Sequence, residues 1–353
     1  MMINKKSILF SILISIFLLI LNGCATITGP SVSEEEIIKA TEELKVKALA
    51  FQIKQLQRLH NIANRLSFAI TKEDTHTYKG PQPFLGMVCF NIDSQLKKLY
   101  KIENNKGVVV IIVKENSPAY KVGIMPGDVL ISINDRKIPD TYTFNRLASN
   151  FKIGDLLKIK ILRNNTHLDF DLKLDEIPIN VPLAVVDIQE VNAATDGKSI
   201  FVTYGLLNFA KSDDEIAAVI AHELAHLVRG HVSKMQGSQL IGAIAAIVLG
   251  IVVESSSPGS GEIVMKGAGQ ISEIFTAQYS RDLEREADYF GTKFVYQAGY
   301  DPEVYANFLE RFAIEIPQSM ISNYLSTHPT SPERILRVKK AIEELKSSSQ
   351  VLN

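Results

Sequence analysis

A chain of 353 residues has room for two domains at about 150 residues each. With 46% apolar and 22% charged residues it can bury a sizeable core, and a net charge of -1 without long basic blocks excludes the footprint of a nucleic-acid-binding surface. Two cysteines, Cys24 and Cys89, exclude a disulfide framework.

Lys5 and Lys6 precede an apolar run of 15 residues, Ser7 to Leu21. A membrane-spanning helix needs about 20, so the run reads as a secretory signal. It ends in Leu21-Asn22-Gly23-Cys24, which resembles the bacterial lipobox. The resemblance implies that residues 1–23 are a lipoprotein signal peptide and that Cys24 carries the lipid. Acyl chains would hold the protein to a membrane at about 0.8 kcal/mol per buried CH2. The rest of the chain would face the periplasm or the cell exterior.

Residues 24–80 read as a short tether followed by a helix from about Glu34 to Ile70, with Ser33 and Glu36 as its capping box. Leu44, Val46, Leu49, Ile53, Leu56, Leu59, Ile62, Ala63 and Leu66 give it one apolar face.

Residues 81–176 change to short β-rich runs: Val108 to Val113, Val129 to Ile133, Leu157 to Ile161 and Leu168 to Leu174. Cys89 lies among them as a small buried hydrophobe. The run Gly107-Val108-Val109-Val110, Ser117-Pro118-Ala119, Gly123-Ile124 and Pro126-Gly127-Asp128-Val129-Leu130 resembles a PDZ domain. The resemblance maps the family's carboxylate-binding loop to Phe84, Leu85, Gly86 and Met87. A peptide C-terminus would dock there and add as a strand to the sheet edge.

Residues 177–345 return to a mixed pattern, with residues 346–353 as a tail. Val185 to Ile188 and Ile200 to Thr203 read as strands around the turn Asp196-Gly197, and a helix is predicted from Glu215 to about Lys234. On that helix sits His222-Glu223-Leu224-Ala225-His226. Residues four apart differ by about 40° in direction, so both imidazoles leave one face and can share an ion. Glu223 is turned away from ligation but can reach a water whose pKa the metal lowers, and take its proton. A catalytic zinc wants a third protein ligand and an open position. Arg229 and Val232 stand where a metzincin needs Gly and His, and His231, five residues beyond His226, points elsewhere on the predicted helix. The segment Ser280 to Asp288 offers Glu284, with Asp288 one turn later on the same face to orient a ligating His. Glu286 is the competing carboxylate, on another face.

The set His-Glu-Leu-Ala-His, Ser280-Arg281-x-x-Glu284-x-x-Ala287-Asp288, Ala298 to Pro302, and Thr327-His328-Pro329 with Arg334 resembles metallopeptidase family forty-eight, the HtpX/BepA/Oma-like gluzincins. The resemblance covers roughly Leu183 to Lys340. It implies one Zn2+ held by His222, His226 and Glu284, with Glu223 as general base and acid. It places Asp288 and Arg334 behind the ligands and makes His328 a candidate regulator or transition-state stabiliser. The stretch Val191-Asn192-Ala193 to Gly205-Leu206-Leu207 matches the family too, which implies an edge strand before the zinc helix that aligns a substrate backbone. It also implies a helix before that strand, to which Gln57 to Leu66 corresponds, so that the PDZ-like module would be inserted into the peptidase.

The expected fold is α+β: a mainly helical zincin-type peptidase domain with a small edge sheet, plus a β-rich PDZ-like module. The expected function is a lipid-anchored zinc endopeptidase acting on unfolded or misassembled envelope proteins, with no nucleic acid among its partners. The alternative is a chaperone-like or adaptor protein that uses the same groove for binding. Gly237 to Val253, seventeen uncharged residues, reads as a helix over the cleft or on the membrane surface, or as a buried helix or hairpin within the peptidase.

Overall fold

The structure, a computed structural model, describes residues 30, 32–76, 80–103, 106–234, 264–265, 279–315, 328 and 331–351. The signal segment, Cys24 and the stretch Gly237 to Val253 lie outside them. No helix among the described residues is long and apolar enough to cross a membrane.

The chain forms two compact units, residues 1–44 and 45–353. In the first, the backbone N–H and hydroxyl of Ser33 donate to Glu36 Oε2 at 2.8 and 2.7 Å, and Ser33 Oγ accepts from the Glu36 amide at 3.2 Å. This capping box opens helix α1 (Glu34–Phe68). Leu44, expected on the apolar face, is exposed.

In the second unit α1 buries Leu49, Ile53, Leu56, Leu59, Ile62, Ala63 and Leu66, one stripe at helical spacing. A single 3-10 turn, Lys72–Asp74, follows. Next come β1 (Gln82–Phe84), β2 (Met87–Asn91), α2 (Ser94–Tyr100), β3 (Val108–Val113), α3 (Pro118–Lys121), β4 (Val129–Ile133), β5 (Arg136–Lys137), α4 (Thr141–Ala148), β6 (Leu156–Arg163), β7 (Thr166–Lys173) and β8 (Asp175–Ile177). Strands run in the order β2-β3-β4-β6-β7, with β5 on β4 and β2 at an edge. The first and last strands, β1 and β8, pair antiparallel as a separate ribbon, Gln82 opposite Ile177.

β3 explains an unbroken apolar run. An antiparallel strand usually alternates, because one face meets water. Here Val108, Val110 and Val113 fill the module's own core with Met87, Cys89, Leu130 and Ile161. Val109, Ile111 and Ile112 join a second core with Leu56, Leu59 and Ile62 of α1.

Beyond the ribbon lie β9 (Leu183–Val186), β10 (Ala193–Thr195), β11 (Ile200–Thr203), α5 (Tyr204–Phe209), α6 (Asp213–Val228), α7 (His231–Lys234), β12 (Val264–Met265), α8 (Arg281–Gln297), α9 (Glu303–Glu315) and α10 (Pro332–Val351). The sheet order β10-β11-β9-β12 leaves β10 at an edge. Helix α6 buries nearly every residue, with Ile216, Val219 and Ile220 in the same core as α1. The architecture is α+β.

Candidate metal centre

Ser212 caps α6, its Oγ accepting from the Glu215 amide at 3.2 Å. The helix was expected to run on to Lys234. It stops at Val228 instead, and a turn through Arg229 and Gly230 separates it from α7. His222, Glu223 and His226 are each fully buried. Helix α8 lies against α6, and Gly291 is where they touch. A Cβ there would sit 3.1 Å from both the amide nitrogen and Cα of His222. That close approach brings Glu284 and Asp288 of α8 to the two histidines.

Four donor atoms, one each from His222, His226, Glu284 and His328, lie within 4.8 Å of one another. His222 Nε2 is 3.1 Å from His226 Nε2 and 3.1 Å from His328 Nδ1. Glu284 Oε1 is 3.2 Å from His226 Nε2 and 2.8 Å from His328 Nδ1, and Glu284 Oε2 is 3.5 Å from His222 Nε2. Ligands about 2.0–2.1 Å from a tetrahedral ion stand about 3.3 Å apart, so these separations fit one metal ion. The donor chemistry fits as well. Three imidazole nitrogens and a carboxylate crowd together, and Glu284 Oε2 has no hydrogen-bond partner although it is buried.

The outer sides of the ligands are also held. Asp288 Oδ1 is 3.1 Å from His222 Nδ1. Tyr305 donates its hydroxyl to the same Asp288 oxygen at 2.6 Å and lies 3.0 Å from His222 Nδ1. Arg334 donates to both Asp288 oxygens, at 2.7 and 2.8 Å, and to the His328 carbonyl at 3.1 Å. His231 Nδ1 is 2.9 Å from His226 Nδ1, while its Nε2 is 3.2 Å from Glu286 Oε2. The expectation that His231 points elsewhere is corrected by the break after Val228, which turns α7 back under His226. The Tyr279 ring stacks on His226 with centroids 3.8 Å apart.

Burial dominates the electrostatics. It pushes the Glu223 carboxyl up to about 7, although His328, Arg334 and the Thr195 backbone work to lower it. Burial lowers His226 well below the ordinary imidazole range and His231 to about 4. Burial also works to raise Glu284 and Asp288, but it is outweighed. His328, Arg334 and His222 hold Glu284 well below the carboxylate range, and Arg334 with His222 holds Asp288 at about 2. His328 Nε2 stands 3.4 Å from Glu223 Oε1, so one imidazole lies against both the donor cluster and the Glu223 carboxyl.

The loop expected to take a peptide carboxylate runs from Phe84 to Met87. Its carbonyls face inward: Leu85 O accepts from the Ala119 amide at 3.1 Å, and Gly86 O from the Lys114 amide at 2.8 Å. Gly86 has φ +82, and a Cβ there would lie 2.0 Å from Ser117 Cβ, so this turn admits only glycine. Phe84 and Met87 are buried, and Phe84 meets Phe68 of α1 edge-on at 5.9 Å.

Residues 171–342 match the model of Peptidase family M48, and residues 86–174 match the PDZ domain model. The chain is similar to the mitochondrial metalloendopeptidase OMA1 of Arabidopsis thaliana, 35% identical over 159 residues, which are 44% of this chain and 30% of the relative. The OMA1 of Schizosaccharomyces pombe is 30% identical over 154 residues, 42% of each chain. The β-barrel assembly-enhancing protease of Yersinia pestis is 26% identical over 171 residues, 46% of this chain and 34% of the relative. The chain thus spans less than half the length of these relatives.

Proposed function

We propose that this chain, which belongs to peptidase family M48 through residues 171–342 and carries a PDZ domain over residues 86–174, is a zinc endopeptidase of the cell envelope. The observation that carries the reading is the buried donor cluster with the fully buried Glu223 carboxyl beside it. His222, His226 and Glu284 would hold the ion. Zinc bound there would supply Lewis acidity, lowering the pKa of water and polarising a peptide carbonyl. Glu223 moves the protons: a carboxyl held near neutrality can accept one from the attacking water and return it to the leaving amine. Asp288, braced by Tyr305 and Arg334, keeps His222 Nδ1 protonated and its Nε2 free. An extended substrate would align along β10, the strand at the sheet edge.

His328 is assigned a gating role. As a fourth donor it would occupy the position that a catalytic zinc keeps open, and it lies 3.4 Å from Glu223 Oε1. Moving it away would admit substrate. The PDZ module presents or senses peptide C-termini through Phe84 to Met87 and the edge strand β2. Its place between α1 and β9, with α1 in the peptidase core, supports insertion into one peptidase domain formed by residues 24–80 and 177–345. Its substrates would be unfolded or misassembled envelope proteins, a reading in keeping with the Yersinia relative's name as a β-barrel assembly-enhancing protease, and the lipobox supports a lipid anchor at Cys24.

The test is zinc content and casein cleavage by the full chain, wild type against Glu223→Gln. Zinc in both and cleavage by the wild type alone is the expected result. Zinc in both with no cleavage by either, His328→Ala included, would favour the adaptor reading. A fragment of residues 177–345 that folds and cleaves by itself would overturn the insertion.

A further inference from the structure

We infer that His231 is the positioning residue that fixes His226 in its metal-binding tautomer, passing the orienting charge of Glu286 through a second imidazole. This rests on His226 being a ligand, as proposed above.

A histidine that binds metal through Nε2 must carry its proton on Nδ1, and that proton needs an acceptor. For His222 the acceptor is a carboxylate, Asp288, at 3.1 Å. The Nδ1 of His226 faces instead the Nδ1 of His231 at 2.9 Å. Two bare nitrogens at that distance would repel, and two N–H groups would clash, so one donates and the other accepts. The outer end of the relay decides which. Glu286 Oε2 lies 3.2 Å from His231 Nε2, and Glu286 Oε1 accepts from Arg229 Nε at 2.6 Å. An ionised carboxylate only accepts. His231 therefore carries its proton on Nε2 and donates it to Glu286. A neutral imidazole then has a bare Nδ1, which accepts from the Nδ1–H of His226. The lone pair of His226 is left on Nε2, the atom that faces His222 Nε2 and Glu284 Oε1.

The relay is anchored at its far end. Arg229 also donates to the Asp74 carbonyl at 3.3 Å, and Asp74 pairs with Lys293 of α8. The break after Val228 is what makes the geometry possible: on a continuous helix, residues five apart would diverge by about 140°. The bland alternative is that His231 merely fills space beneath His226.

Three full-chain variants separate these readings. His231→Leu keeps bulk and removes the acceptor. His231→Gln restores an acceptor oxygen. Glu286→Gln leaves His231 in place and removes its charge partner. The readouts are zinc affinity by chelator competition and the ring tautomers of His226 by 15N NMR on metal-free protein. The wild type should show the Nδ1–H form. His231→Leu should show a mixture containing Nε2–H and bind zinc about 10–100-fold more weakly. His231→Gln should recover most of that loss, and Glu286→Gln should fall between. Wild-type zinc affinity and an unchanged tautomer in His231→Leu would overturn the relay. So would equal losses in the Leu and Gln variants. If His231→Leu does not fold, Glu286→Gln decides by the same two readouts. A wild type that binds no zinc would sink the metal-site reading, while the tautomer measurement would still judge the relay.

Discussion

Gln57 and Val113 exchange two hydrogen bonds: Gln57 Nε2 donates to the Val113 carbonyl at 2.9 Å, and the Val113 amide donates to Gln57 Oε1 at 3.0 Å. A side-chain amide on α1 thus satisfies the backbone at the end of β3, a strand of the PDZ domain. Asn61 and Asn64, one and two turns further on, continue the seam onto Glu115, accepting from its amide and donating to its carbonyl. Gln57→Leu is expected to leave both Val113 groups without partners, at about 1–3 kcal/mol each when buried. Urea unfolding of the full chain should show a loss of about 2–4 kcal/mol, less for exposure of the seam. A change below about 0.5 kcal/mol would mean that water replaces the amide at no cost.

Asp288→Asn keeps the shape of the side chain but removes the charge that Arg334 and His222 share. Zinc affinity should fall about 10–100-fold in chelator competition. Stability should fall by about 3–5 kcal/mol, because Arg334 is left as a buried cation without its main partner.

Gly291→Ala tests the contact between α6 and α8. Its methyl group would press on the backbone of His222, where no side chain can rotate away. The helices must separate by a few tenths of an ångström, at about 1–3 kcal/mol. Peptidase activity should drop more than melting temperature, since the displaced element carries His222, His226 and Glu223, the proposed ligands and proton acceptor.

His328→Ala should raise casein cleavage if His328 closes the site, with unchanged zinc stoichiometry. Complete loss of cleavage would instead make His328 part of the chemistry.

Lys114 gives a pH signature away from the metal. Burial lowers its amine from 10.5 to about 8, and its Nζ donates to Asn180 at 3.1 Å. Below pH 8 the folded chain bears the full cost of this buried charge, about 3 kcal/mol. Between pH 8 and 10.5 the unfolded chain binds the extra proton, so stability rises with pH in that window. Lys114→Met should therefore melt higher than wild type at pH 7, and the gap should narrow from pH 8 to 10.5. A constant gap would assign it to packing.

The sequence carries some of this arrangement and hides the rest. His222 and His226 can be paired because four residues on a helix return to one face, and Glu284 with Asp288 repeats the argument on α8. The β3 run could be read because six consecutive apolar residues need burial on both sides. His231 was misplaced: its role depends on a helix break after Val228, which Gly230, with φ +68 just past the Arg229 cap, could have signalled. Tyr305 reaches His222 from α9, which carries no motif, so only the packing of α9 on α6 reveals it. Gln57, Asn61 and Asn64 look like a solvated helix face, because their partners are backbone groups 51 to 56 residues away.

The β1–β8 ribbon puts the entry and exit of the PDZ domain about 5 Å apart, the spacing of paired strands. Such a neck is narrow enough that the domain between its strands could be cut out without separating the chain ends. The second face of β3 removes that freedom. Excising the domain would strip Leu56, Leu59 and Ile62 of the side chains that cover them, and the excised piece would carry Val109 and Ile111 into water. Each part serves as the other's solvent shield, so neither would keep its present surface alone.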